Sequence, residues 1–186
     1  MNKILLTAAA LTCVLGTSCG GDKSTKPQEE TTTSPKAKGP LADNELKRNY
    51  KAALGGKTFD ITISRRPAKD RPTVKDELDQ TFYDNVVDVT VTCDAQLFFS
   101  KTFTKEAFED YLSPADRQST IFMGMAFDEE KSDGRHICLA AQIGKPGTGE
   151  GPAFTIEIPT SGSGSTYSIL RDTQQDTNAQ SAEEAE

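Results

Sequence analysis

Val87-Asp88-Val89-Thr90-Val91-Thr92-Cys93 alternates strictly between apolar and polar residues. A period of two places Val87, Val89, Val91 and Cys93 on one face and Asp88, Thr90 and Thr92 on the other. That is the pattern of a strand with one buried face. The pattern recurs on both sides. Upstream, Phe59, Ile61 and Ile63 alternate with Thr58, Asp60, Thr62 and Ser64. Downstream, Leu97, Phe99 and Phe103 share a face with Lys101, which predicts a bulge or an excursion from the core. Ile121, Met123, Met125 and Phe127 form one further face, with Phe122 and Ala126 on the other, so a strand covered on both sides is expected. Ile137, Leu139, Ala141 and Ile143 follow, then Phe154, Ile156 and Ile158, and Tyr167 and Ile169 open a last short strand. β-Branched and aromatic residues dominate, as a pleated, half-buried surface favours.

Turn chemistry separates these runs. Cys93-Asp94-Ala95-Gln96 and Asp133-Gly134 are hairpin-sized, and Gly144–Pro152 and Ser161–Ser165 are glycine-rich loops. None is long enough for a parallel crossover. The expected fold is therefore mainly β, an antiparallel meander of about six to eight strands forming a small barrel or sandwich. One short helix is expected to pack on it. Thr104 is placed to cap Lys105–Leu112, Phe108, Tyr111 and Leu112 make an apolar stripe, and Ser113-Pro114 is read as its end. Tyr50, Ala52 and Leu54 fit a strand turning at Gly55-Gly56, although Leu46, Tyr50, Ala53 and Leu54 also fit a helix. Arg66–Tyr83 reads as a long polar loop.

The chain has 186 residues, a net charge of −7, no tryptophan and one histidine. An acidic balance argues against nucleic acid as a partner, and one histidine excludes a multi-histidine metal site and a Ser-His-Asp triad not built on His136. The charge is uneven. Asp172–Glu186 holds five acids and no base, and Cys19–Lys47 balances five against five. Lys3 gives the first segment its one charge, which leaves the core near −3. All nine Phe and all four Tyr lie between Tyr50 and Tyr167. The expected organisation is a signal peptide over 1–18, a disordered tether over 19–47, a β-rich domain over 48–171 and a disordered acidic tail over 172–186.

Lys3 followed by the uncharged run Ile4–Leu15 fits a secretory h-region too short to span a bilayer. Gly16-Thr17-Ser18-Cys19-Gly20-Gly21 then resembles the signal at which a lipoprotein's Cys is acylated, here Cys19. Gly16 departs from that pattern, which usually carries Leu there. Ordinary secretion with cleavage near Ser18, or an uncleaved anchor, are the alternatives.

Ile63-Ser64-Arg65-Arg66, Asp70–Glu77, Tyr83-Asp84-Asn85, Phe98–Lys105, Phe108, Tyr111-Leu112, Phe127-Asp128 and Arg171-Asp172 together resemble an uncharacterised lipoprotein family of Bacteroidetes-type bacteria. The resemblance implies a cell-envelope lipoprotein carrying palmitate at Cys19 and held at the cell outer membrane, facing the periplasm or the surface. It implies no activity and no catalytic residue.

Possible chemistry is sparse. His136 and Cys138 stand two apart and share a strand face, as a thiolate–imidazole pair would. That face opposes Ile137, Leu139 and Ala141, and no third residue orients the pair. Cys93 lies on an apolar face and Cys138 on a polar one, so two separate thiols are expected rather than a disulfide. Asp76, Glu77, Asp79 and Asp84 offer oxygen ligands without calcium-loop spacing. Asp128, Glu129, Glu130 and Asp133 read as a solvated turn. Gly144–Gly151 lacks phosphate-loop spacing and is followed by a strand. No catalytic, cofactor or metal residue is assigned. The expected function is a non-enzymatic binding or assembly module. It would be anchored to the membrane through Cys19 and meet a protein or glycan partner through Arg66–Tyr83 and Lys105–Leu112. An envelope hydrolase using carboxylates or the Cys138/His136 pair is the alternative.

Overall fold

The computed structural model describes residues 39–162 and 164–173. The signal segment, Cys19, most of the tether and the tail beyond Thr173 lie outside the described residues. The described residues hold ten strands: β1 Leu46–Leu54, β2 Lys57–Pro67, β3 Thr73–Lys75, β4 Thr81–Tyr83, β5 Asn85–Cys93, β6 Gln96–Phe103, β7 Ile121–Asp128, β8 His136–Gly144, β9 Ala153–Pro159 and β10 Ser168–Asp172. They build two four-stranded antiparallel sheets, ordered β1-β2-β5-β6 and β10-β9-β8-β7, with β3-β4 as a separate ribbon. Each sheet is a meander, and the two enclose one hydrophobic core in the manner of a sandwich.

Register explains why the alternation succeeds. Ile61 pairs with Val91 and Ile63 with Val89, and Val91 and Val87 pair in turn with Phe99 and Phe103. In the second sheet Ile137 pairs with Ile158, Leu139 with Ile156 and Ala141 with Phe154. Cross-strand pairs of this kind stack on one face, and all of these residues are buried. Lys101 does fall in phase with the core, opposite Val89. It is half-buried, and its ammonium lies 4.9 Å from the Tyr167 ring centroid, which offsets lost hydration. A bulge further along, between Val91 and Thr92, absorbs the extra residue Phe98, which packs against the core, and leaves Leu97 exposed rather than on the Phe99 face.

Two hairpin turns require left-handed backbone. Gly55 and Gly56 take it (φ +57° and +79°), which resolves Tyr50–Leu54 as a strand. Asp94 and Ala95 take it too (φ +47° and +65°), at a steric cost to Ala95.

Four sequence expectations are corrected. The stretch Arg66–Tyr83 contains the β3-β4 ribbon, held to the chain ahead of β1 by Leu41, whose N–H donates to Thr81 O and whose carbonyl accepts from Tyr83 N. The segment after Thr104 forms a 3₁₀ helix, Lys105–Tyr111, whose Phe108 is fully buried, and the Thr104 side chain makes no cap bond to it. Pro114 opens a second helix, α1 Pro114–Ser119, with Ser113 Oγ accepting from Asp116 N. Proline suits a first helical turn, because its missing N–H needs no partner there. In β7, a register shift between Phe122 and Gly124 moves the inward phase, so Phe122, Met125 and Phe127 face the core and only Ile121 and Phe122 are buried.

Candidate functional site

His136 and Cys138 share the outward face of β8, as their spacing requires, and each has a different polar contact. His136 Nδ1 lies 3.8 Å from Asp133 Oδ1. Cys138 is buried under the β7–β8 connection and donates its thiol to Lys131 O at 3.2 Å. Burial, with Glu157 and Asp128 nearby, pushes that thiol up to about 11, so it stays protonated at neutral pH. Cys93 packs against the core from the other sheet, and both cysteines are free.

The acidic residues of the Arg66–Tyr83 segment disperse. Asp76 Oδ1 accepts the N–H groups of Leu78 and Gln80, Asp79 pairs with Lys75 and Glu77 with Lys145. Among the described residues no three His, Cys, Asp or Glu side chains stand together in a metal-holding arrangement. In the Gly144–Gly151 loop, Lys145 N–H donates to Glu150 O, Gly149 N–H to Lys145 O, and the Gln142 amide to the carbonyls of Gly149 and Gly151. Those N–H groups are engaged inside the loop.

Asp84 instead turns inward. Its Oδ1 accepts the N–H groups of Asn85 and Phe122, both at 2.7 Å, and Lys105 Nζ lies 4.0 Å from Oδ2. Burial raises its pKa against those three stabilising contacts. Asn85, fully buried, donates to Asp43 Oδ2 and Phe122 O. Arg65 donates to Met123 O and Asn44 O and lies 3.6 Å from Asp43. This polar junction fastens the entering chain and the start of β7 to the first sheet. Sequence reading passed over it, although a signal existed: Asn85 is in phase with Val87 and Val89, and Arg65 with Ile61 and Ile63.

Beside the junction lies an open cleft of about 380 Å3. Its small-residue side is formed by Gly124, Ala126, Ala140 and Ala153 of the second sheet, and it continues past the β7 edge to Leu46, Arg48, Ile63 and Arg65 on β1 and β2. Met123 and Met125 lie between. Lys131 stands among Asp128, Thr155 and Asp172, 3.0 Å from the Asp172 carboxylate. That bond holds the ammonium above its usual pKa. The cleft is mostly aliphatic with charged groups at its margins, the general make-up of small-molecule sites, and its volume is within their range of about 300–1,000 Å3. Neither Arg66–Tyr83 nor Lys105–Leu112 lines it, so the contact elements expected from sequence are not where the concavity is.

No curated protein matches the chain. A family model does, described as Domain of unknown function (DUF4738), over residues 24–165. That span takes in β1 to β9, the polar junction and nearly all of the cleft lining, and the chain belongs to this domain family.

Proposed function

We propose that the chain is a lipid-anchored, non-enzymatic binding module of the cell envelope, which takes its ligand in the cleft at the β7 edge. The observation that carries the reading is the cleft itself, a concave, largely aliphatic surface beside an edge strand. The protonated, hydrogen-bonded Cys138 thiol weighs against the Cys/His hydrolase. The leader, with Lys3, the apolar run and Cys19 after small residues, supports export and acylation at Cys19. Several acyl chains at one terminus give the stable anchoring that one chain does not. The lipoprotein character, the Bacteroidetes-type origin and the outer-membrane location are parts of this same proposal.

A neutral, environment-sensitive dye, N-phenyl-1-naphthylamine, tests the cleft. Its fluorescence is expected to rise on the wild-type protein and to lose most of that rise in Ala140→Trp. Ala140 is exposed and in the cleft lining, so the indole fills the cleft without entering the core. Equal enhancement by both proteins would overturn the assignment.

A further inference from the structure

Arg48 is the least expected residue of the cleft. It occupies a core-phase position on β1, in line with Leu46 and Tyr50 and opposite Ile63, where an apolar side chain would complete the face. The cleft lining holds three cations, Arg48, Arg65 and Lys131, and two carboxylates, Asp128 and Asp172. Arg65 is committed to Met123 O, Asn44 O and Asp43, and Lys131 to Asp172 and Asp128. Arg65 is thus offset by Asp43 from outside the lining, and Lys131 faces two carboxylates, which leaves one surplus negative charge beside Lys131 and one unpaired cation, Arg48, at the other end. Arg48 makes no ion pair among the described residues and remains solvent-exposed at the cleft margin.

The rest of the lining is suited to a hydrocarbon. Met123 and Met125 are unbranched and deformable, and adapt to apolar shapes of variable outline. Gly124 and Ala126 keep the β7 edge low, and Ala140 and Ala153 leave room beside them. No tryptophan exists in the chain, and the one aromatic residue in the cleft lining, Phe154, is buried rather than presented for stacking on a sugar. We propose that the cleft binds a free anionic amphiphile, a single apolar chain with a carboxylate or phosphate head, with the chain against Met123, Met125 and Ala126 and the head on Arg48. The proposal rests on the reading of the cleft as the binding site and names its ligand class. A concave pocket of this volume fits a monomeric amphiphile rather than the plane of a bilayer.

Calorimetric titration of the chain from Gly20 onward, which retains every described residue, tests it. Dodecanoate and dodecyl phosphate, below their critical micelle concentrations, are compared with dodecanol. The anionic ligands are expected to bind about tenfold tighter than the alcohol, as one charge-assisted hydrogen bond supplies. Arg48→Gln should erase that difference and leave dodecanol unchanged, Arg48→Lys should restore most of it, and Ala140→Trp should weaken all three. Equal affinity for acid and alcohol, or an anion preference that survives Arg48→Gln, would overturn the ligand class while leaving the cleft as a binding site. Failure of all three ligands to bind would overturn the cleft reading as well. Arg48-dependent sedimentation with phosphatidylglycerol vesicles, without binding of monomeric dodecanoate, would overturn the free amphiphile in favour of a lipid surface.

Discussion

A buried carboxylate that accepts two backbone N–H bonds is under opposing demands: burial disfavours its charge and the bonds favour it. At Asp84 burial prevails, and its pKa lies above the ordinary value of 3.8. Folding therefore takes up a proton on this group. Its contribution to stability is full below pH 3.8 and declines as pH rises through the raised folded value. Asp84→Asn keeps an oxygen acceptor and removes the charge, so urea unfolding across pH 3–8 should lack that decline. Parallel pH profiles for variant and wild type would contradict this. Asp84→Ala leaves the Asn85 and Phe122 N–H groups unpaired, at a cost of roughly 1–3 kcal/mol for each. Ala95 offers a gain instead. Its left-handed backbone is free of strain only in glycine, so Ala95→Gly should raise stability by roughly 1 kcal/mol, read from the urea midpoint at unchanged slope. The two core-domain thiols should also differ. Half-exposed Cys93 should react with a thiol reagent at pH 8 well before Cys138, which is buried and has a pKa raised to about 11. Equal labelling rates followed by mass spectrometry would refute the burial of Cys138 beneath the β7–β8 connection.

At the scale of elements, the strands were legible because one face is buried and the period of two leaves a strong trace. Val87 to Cys93 and Ile137 to Ile143 needed nothing beyond that trace. β7 reads from sequence as covered on both sides because a bulge adds a residue without changing composition, so Phe122 falls on the face opposite Met125 and Phe127 when all three pack on the core. The β3-β4 ribbon was missed because its pairing partner is partly Leu41, remote in sequence and held through backbone bonds that carry no side-chain signature. The 3₁₀ helix was located correctly by Phe108 and Leu112, but the hydrogen-bond type was not encoded in that stripe. Phe108 rings against Phe122 and Phe154 at 5.3 and 4.9 Å, which pins the turn to the second sheet. Phe108→Ala should cost about 3–5 kcal/mol in chemical denaturation. A cost under about 1 kcal/mol would mean that the turn is not anchored there. The cleft itself left only a negative imprint. Arg48 and Arg65 interrupt apolar phases at one end of the first sheet, where an uninterrupted sandwich would carry aliphatic residues. No periodicity rule converts such an interruption into a concavity, because the cleft joins β1, β2, β7, β8 and β9 from distant parts of the chain.

At the scale of the whole molecule, the polar junction ties the entering chain to the sandwich at the margin of the cleft, through Asp43 and Asn44 on Arg65. If Cys19 carries the anchor, the tether delivers the domain to the envelope and the cleft faces whatever lies within its reach. Labelled palmitate should be incorporated by the wild-type chain and not by Cys19→Ala, which should leave the membrane fraction. Retention of label in the variant would contradict acylation at this residue. The central claim is that the β7-edge cleft is the surface that binds. Amide chemical-shift mapping tests it most directly, with dodecanoate titrated into the isotope-labelled domain. The expected result is a set of shifts confined to Leu46, Arg48, Gly124, Met125, Ala126 and Ala140. Shifts centred instead on residues remote from the cleft, such as Lys57, Leu97 and Gly162, or none at all, would contradict it.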